Sequence, residues 1–375
     1  MQYRKFGKLD WDASVLGFGC MRLPLRPDGE IDEPEAIRQI RHAVDHGVNY
    51  VDTAYGYHGG KSEILVGRAL KDGYRDKVHL ATKLPVWHVK TAADFDRLLN
   101  EQLGKLQTER IDLYLLHSLR AEPWKLVSDL GVLRWAEKAM ADGRIGCLGF
   151  SFHDELPVFK QIVDAWDGWA FCQIMYNYLF GKKQAGTEGL EYAARRGLPV
   201  VIMEPLMGGN LVNPPEAIQG IWDRAPRKRS PAVWALEWLW NRPEVAVVLS
   251  GMNSMEQVEE NLAAADRAHA GCLTGEELSI VAEVRDVYEK LRPIPCTGCK
   301  YCMPCPNGVN IPRNLERYNT AVMYNRMARE KDAYRKSKPE ERADACIACR
   351  ECEPKCPQKI RISEWMACLD KELGA

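Results

Sequence analysis

The sequence predicts an α/β protein: a closed (β/α)8 barrel followed by a small, cysteine-rich, mainly helical domain. Three observations carry this. Eight short apolar runs alternate with amphipathic stretches over roughly the first 270 residues, close to the ~250 that a closed barrel needs. The turn after the first run, Gly17-Phe-Gly-Cys-Met-Arg22, is not the G-x-G-x-x-G loop by which an open doubly wound sheet announces itself. Nine of the thirteen cysteines fall in the last 80 residues. The expected division is a barrel over 1–285 and a cysteine-rich domain over 286–375.

Taken in order, the strand candidates are 15–19, 48–52, 78–83, 111–117, 145–150, 171–175, 199–203 and 245–249. Between the first two, Ala36, Ile37, Ile40 and Val44 recur at helical spacing. Later helices are expected over 95–106, 124–140, 188–196, 232–240 and 255–265. Parallel neighbours need long crossovers, so strands separated by helices of this length imply βα units.

The 375 residues are 46% hydrophobic and 27% charged, a composition for packed cores rather than a disordered chain. With 51 basic and 52 acidic side chains the net charge is -1, which gives no field to draw the protein to nucleic acid or to an anionic membrane. The charged amino terminus is no signal peptide, and no run offers the roughly 18 apolar residues of a spanning helix. A soluble, cytoplasmic protein is expected.

In a barrel the chemistry gathers at the carboxyl ends of the strands. Those ends hold Asp52, Lys83, His117, and Ser151 with His153. Singly each has a plain structural role: a helix cap, a solvated strand end, a satisfied core imidazole. Together they suggest an acid–base site. An ammonium lowers the pKa of a neighbouring phenol and a carboxylate keeps the ammonium charged, so a tyrosine near 10 is brought toward neutral pH. Tyr55 and Tyr57 are the candidate phenols.

The stretches Asp52-Thr-Ala-Tyr-Gly-Tyr57 with Ser62-Glu63, Ala81-Thr-Lys83 and Asp112-Leu-Tyr-Leu-Leu-His117 resemble the aldo-keto reductase superfamily over residues 1 to 270. The resemblance implies a nicotinamide-dependent, NAD(P)(H)-linked reductase of aldehydes or ketones, or an oxidase of the corresponding alcohols. It maps the catalytic tetrad onto Asp52, Tyr57, Lys83 and His117, with Tyr57 as proton donor, Lys83 and Asp52 tuning it, and His117 orienting the carbonyl. It places cofactor contacts at Gly19, Cys20, Met21, Asp52, Ser151, Gln173, Glu204, Pro205, Leu206, Gly251, Gln257 and Asn261. Within Ser250-Gly-Met-Asn-Ser-Met-Glu-Gln-Val-Glu-Glu-Asn261 the chain departs from the pattern. Gly251, Met252 and Gln257 stand where relatives put Lys, Ser and Arg, and Phe152 replaces the usual asparagine after Ser151. A 2′-phosphate wants cationic donors, so a strong NADP preference is not expected.

The tail holds Cys296-Thr-Gly-Cys299-Lys-Tyr-Cys302-Met-Pro-Cys305-Pro306 and Cys346-Ile-Ala-Cys349-Arg-Glu-Cys352-Glu-Pro-Lys-Cys356-Pro357. The second is the bacterial ferredoxin run C-x2-C-x2-C-x3-C-P, whose fourth cysteine ligates the other cluster in two-cluster proteins. Two 4Fe-4S clusters are therefore expected, one on Cys296, Cys299, Cys302 and Cys356, the other on Cys346, Cys349, Cys352 and Cys305. Paired zinc sites are the rival, although two triplets each trailed by Cys-Pro suit tetrahedral pairs badly. Cys368 is left over, and Cys20, Cys147, Cys172 and Cys272 read as small buried residues. Leu315, Tyr318 and Val322 predict a helix, and the basic run Arg326, Arg329, Lys331, Arg335, Lys336 and Lys338 reads as a solvated helix face or a landing surface for an acidic carrier.

Hydride chemistry needs no one-electron wire, and clusters move single electrons. A ferredoxin or other electron carrier is thus the expected partner besides a small carbonyl or alcohol substrate. A flavin would convert between the two kinds of step, but no flavin motif is visible. The alternative is a ferredoxin-linked electron-transfer protein whose barrel binds a different cofactor or serves as a docking scaffold. Trp87 and Trp124 are candidates for walls of the substrate pocket.

Overall fold

The computed structural model describes residues 1–374. An antiparallel hairpin, β1 (Tyr3–Lys5) and β2 (Asp12–Ser14), precedes eight parallel strands: β3 (Leu16–Gly19), β4 (Tyr50–Asp52), β5 (His79–Leu84), β6 (Ile111–Leu119), β7 (Ile145–Phe152), β8 (Phe171–Met175), β9 (Val200–Met203) and β10 (Val245–Ser250). These close in the order β10-β3-β4-β5-β6-β7-β8-β9. Each expected strand is present, and the doubly wound alternative is set aside by the closure.

The crossovers are α1 (Glu33–Asp45), α2 (Ser62–Ala69), α3 (Ala93–Leu106), α4 (Ala121–Asp129), α5 (Val132–Ala141), α6 (Leu156–Asp164), α7 (Gly186–Arg195), α8 (Glu216–Arg224), α9 (Pro231–Trp240) and α10 (Met255–Ala265). They follow the local chemistry. In α1, Asp32 accepts from the Glu35 amide and a proline occupies the first turn, while Ala36, Ile40, Ala43 and Val44 form the buried face. The single helix expected over 124–140 is two, α4 and α5. The chain turns at Gly131, whose φ of 81° suits only a residue without a Cβ.

The hairpin explains why the barrel is a packed core rather than a pore. Phe6 stacks on Trp11 with centroids 4.7 Å apart and meets Tyr50 and Phe171, while Trp11 lies 3.5 Å over His79. Tyr50, His79 and Phe171 are the first residues of their strands, so the hairpin plugs the end opposite the strand carboxyl termini. Above it, Ala81, Leu113, Leu115, Val201 and Val247 complete the interior.

By contacts the chain divides into two compact units, one of residues 1–207 with 233–274, the other of 208–232 with the chain from Gly275 on. The second unit therefore takes in α8 and α11 (Gly275–Lys290). Its remaining helices are α12 (Ile311–Met323), α13 (Met327–Arg335) and α14 (Ile362–Gly374). They share a core of Ile294, Leu315, Tyr334, Met366 and Leu369. The residues expected at helical spacing, Leu315, Tyr318 and Val322, lie on α12. Arg326 does not belong to a solvated face: it is half-buried and donates to the carbonyl of Gly209. Among the described residues no helix is long and apolar enough to cross a membrane.

Gly149 on β7 shows how tight the interior is, since a Cβ there would come within 2.6 Å of the Phe171 ring. Gly149→Ala should lower unfolding free energy by about 1–3 kcal/mol through overpacking, measured by urea titration against the parent chain. An unchanged midpoint would show that Phe171 moves aside freely.

Candidate functional site

Strand register assembles the site. Gly19 pairs with Asp52, Ser250 with Phe18 and Ser151 with Gln173, so these residues emerge at one end of the barrel. At its centre Lys83, 1% exposed, donates to both oxygens of Asp52, at 2.7 and 2.8 Å, and to the carbonyl of Thr53 at 2.8 Å. Its fourth neighbour is the Tyr57 hydroxyl at 3.5 Å. Tyr57 is held there by a tight turn, Tyr57–Gly60, in which His58 takes the left-handed φ of 51° and accepts through Nε2 from the Leu23 amide. Tyr55 faces elsewhere. Its hydroxyl donates to Glu101 at 3.0 Å and the Lys105 ammonium sits 3.8 Å over its ring.

Burial works against a charged Lys83, but contact with the Asp52 carboxylate outweighs it and holds the lysine pKa above its ordinary value. Tyr57 departs from the expected direction. Burial raises its pKa, Lys83 lowers it, Asp52 raises it again, and the net direction is upward. The carboxylate that keeps the lysine charged also cancels much of its pull on the phenol, which therefore stays protonated in this state. His117 is pushed well below the ordinary imidazole value, first by burial and then by Lys83 and His153, so it is neutral near pH 7. Its Nδ1 is buried without a partner, and its ring lies 4.9 Å from Trp87 and edge-on to Tyr57 at 6.2 Å. Trp87 is 53% exposed beside this imidazole. Trp124 is instead buried against Trp169 and is packing.

The other residues named from sequence differ in what they offer. Gln173 on β8 is buried and its Oε1 has no hydrogen-bond donor, which suits a ligand amide. The Ser151 hydroxyl accepts from the Ser118 amide at 2.7 Å. The thiol of Cys20 is buried, its carbonyl accepting from Ser62, whereas Met21 is 57% exposed. Glu204 turns outward at a φ of 56°, followed by buried Pro205 and half-buried Leu206. Asn261 donates to Ser250 at 3.0 Å, and the Gln257 side chain accepts from the Asn253 amide at 3.0 Å. Arg22, unremarked in the sequence, lies against Gly251, where a Cβ would stand 3.1 Å from the arginine Cβ.

Behind Lys83 lies a polar layer that sequence reading missed. Glu63, wholly buried, accepts from Thr82 at 2.7 Å and from Gln102 at 2.6 Å. Gln102 also donates to the Lys83 carbonyl at 3.0 Å and accepts from the Tyr114 hydroxyl at 2.6 Å. The signal was the adjacent polar pair Ser62-Glu63 ahead of the apolar run Ile64-Leu65-Val66 in α2.

In the second unit, Cys305, Cys346, Cys349 and Cys352 line one small cavity of about 20 Å³. Cys296, Cys299, Cys302 and Cys356 line another of about 20 Å³. Ile362 walls both. Among the described residues no His, Cys, Asp or Glu side chains converge as on a single metal ion. Cys368 lies outside both spaces, in a groove with Lys359 and Trp365.

A barrel whose rim joins a buried lysine, a carboxylate, a tyrosine and a neutral imidazole defines a class of oxidoreductase. Residues 15–284 match the Aldo/keto reductase family, and the chain belongs to it. Residues 295–360 match the 4Fe-4S dicluster domain. The chain is similar to a probable aldo-keto reductase 1 of Glycine max, 25% identical over 69% of this chain and 83% of that one. Among solved structures it resembles the holo form of an aldo-keto reductase from Bacillus halodurans, at 26% identity and TM-score 0.63 over 76% of this chain and 96% of the other. It is equally similar to an aldo-keto reductase from Klebsiella pneumoniae in complex with NADPH, at 26% identity and TM-score 0.63 over 76% and 95%.

The state of His117 has a consequence for stability. Below about pH 6.5 the unfolded chain binds a proton at this residue that the folded site refuses. Its contribution is therefore complete above that pH and is lost as acid is added. Replacing His117 with Gln should flatten the acid limb of the thermal midpoint between about pH 5 and 7. An acid limb identical to that of the parent would show that His117 titrates normally.

Proposed function

We propose that this chain reduces an aldehyde or ketone, or oxidises the corresponding alcohol, with NAD(P)(H), and that it carries two 4Fe-4S clusters. The observation that carries the reading is the placement of one buried ammonium between the Asp52 carboxylate and the Tyr57 hydroxyl. A carbonyl oxygen seated between Tyr57 and His117 receives the phenolic proton, and the phenolate left behind faces Lys83 at 3.5 Å, which stabilises it. Asp52 keeps Lys83 charged throughout. Neutral His117 has a ring nitrogen free to hold the carbonyl in place.

Bound nicotinamide supplies or removes the hydride. Gln173 is suited to hold its carboxamide, since the unpartnered Oε1 can accept from the amide. Gly19, Met21 and Ser151 would hold the ring. Asp52, Glu204, Pro205, Leu206, Gly251, Gln257 and Asn261 remain the further contacts assigned to the dinucleotide. Neither position 251 nor position 257 itself carries the cation that a 2′-phosphate wants, although Arg22 lies against Gly251, so the reading includes NAD as well as NADP.

The clusters supply single electrons and draw on Cys296, Cys299, Cys302 and Cys356, and on Cys305, Cys346, Cys349 and Cys352. Four thiols around each of two separate spaces support this set. Two triplets each trailed by Cys-Pro suit the paired geometry of tetrahedral zinc badly. A reduced ferredoxin or similar carrier is the partner that such clusters require.

Anaerobically reconstituted protein should oxidise reduced nicotinamide in the presence of a responsive member of a carbonyl panel, and Tyr57→Phe should lower kcat by about 10²–10⁴. Activity retained in Tyr57→Phe would move the donor elsewhere. The same preparation should hold about eight iron atoms per chain, halved by Cys356→Ser. Iron that stays near one atom per four cysteines would favour zinc-type sites instead.

A further inference from the structure

The two most exposed large hydrophobic side chains among the described residues are Ile347, at 68%, and Tyr301, at 65%. Both sit inside the cysteine motifs, Tyr301 between Cys299 and Cys302, and Ile347 between Cys346 and Cys349. Beside each stands an exposed cation in the same motif position. Lys300 follows Cys299 and Arg350 follows Cys349, and both take a left-handed backbone, with φ of 64° and 62°. Cys299 and Cys349 are themselves the exposed members of their sets. Among the described residues Lys300, Arg350, Lys355 and Lys359 make no ion pair, and all are exposed. On the loops 295–308 and 346–361 the one exposed carboxylate is Glu351, since Glu353 is partly buried and accepts from Ser363.

Two large apolar side chains exposed within the cysteine motifs, each with a cation nearby, offer contacts to a partner. Electron-transfer encounters are small and weak, a modest apolar centre within a charged rim. We propose that these two loops, with Tyr301 and Ile347 as apolar contacts and Lys300 and Arg350 beside them, are the docking surface for a small acidic one-electron carrier protein. The inference rests on the cluster reading above. Each encounter moves one electron, the carrier being oxidised by one and this chain reduced by one. The unpaired cations draw the acidic carrier to the thiolates closest to solvent, against the negative charge of the ligated iron behind them.

The test is a titration of the full-length, reconstituted protein with an acidic two-iron ferredoxin, reading Kd, together with the rate at which the reduced ferredoxin bleaches the visible absorption. The parent should bind more weakly as salt rises. Lys300→Glu with Arg350→Glu should raise Kd at least tenfold and flatten that salt dependence, and Tyr301→Ala with Ile347→Ala should raise Kd without flattening it. Dithionite, which needs no docking, should bleach parent and variants alike. Three results would overturn the proposal: an affinity indifferent to all four substitutions in iron-loaded protein, an equal loss from Lys125→Glu on the barrel, or tighter binding of a basic carrier. Protein that takes up no iron would instead sink the cluster reading on which the proposal stands.

Discussion

The contact between Lys83 and Asp52 is the constraint around which the barrel site is arranged. Both are almost fully buried, and taking two charges out of water costs several kcal/mol per ion unless geometry and further hydrogen bonds restore it. Here the lysine spends its three donors on the two carboxylate oxygens and the Thr53 carbonyl. Tyr57 stands at 3.5 Å, beyond those three partners. The pair is therefore complete before any ligand arrives, and the phenol is a fourth, weaker neighbour, free to change its own hydrogen bond. That division explains the direction of the Tyr57 pKa. Burial dominates and the lysine's field is opposed by that of the aspartate, so the hydroxyl keeps its proton.

A pair of this kind needs a backbone that does not yield. Lys83 and Thr82 are consecutive on β5, and the Glu63, Gln102 and Tyr114 network grips both, Thr82 by its hydroxyl and Lys83 by its carbonyl. On the other side Thr53 meets the Ser62 hydroxyl at 2.9 Å, and Ser62 reaches the Cys20 carbonyl. Successive residues of α2, Ser62 and Glu63, thus brace the strands carrying Asp52 and Lys83. A buried network is worth having only when its members find partners. Burial raises the pKa of Glu63, whose Oε2 has no hydrogen bond and whose nearest cation is Lys105 at 3.9 Å. The hydrogen bonds to Glu63 from Thr82 and Gln102 and the nearby ammonium of Lys105 act against that rise.

The strands and the rim residues were legible because their signals are local. Apolar runs of five or six residues mark strands that are buried on both faces, and a parallel barrel puts their ends at one rim whatever the helices do. Asp52, Lys83 and His117 each end or nearly end such a run. What the sequence hid depends on side chains meeting across elements. Gln102 lies on α3 and Tyr114 on β6, and nothing in either segment reports that they converge behind Lys83. The break at Gly131 was hidden because the flanking apolar pattern continues through it. The net pKa of Tyr57 was hidden because it is a sum of opposing effects, of which spacing shows only the lysine. In the second unit the cysteine spacing is the signal, whereas the α8 segment joins that unit through packing on α11 rather than through anything in its composition.

Net charge is the clearest case of a global quantity concealing local ones. The total of -1 excludes a long-range field, yet the residues from Arg292 onward hold 16 basic and 11 acidic side chains, which leaves the remainder acidic. At physiological ionic strength fields fade over about 8 Å, so an approaching protein responds to the nearest few charges and not to the sum. Most cations of the barrel surface are tied to carboxylates, as Arg144 is to Asp96 and Asp142, and contribute little beyond their own pairs. Lys300, Arg350, Lys355 and Lys359 are not so tied, and they stand beside the candidate cluster thiols. A near-neutral chain can in this way carry a locally cationic stretch in its second unit.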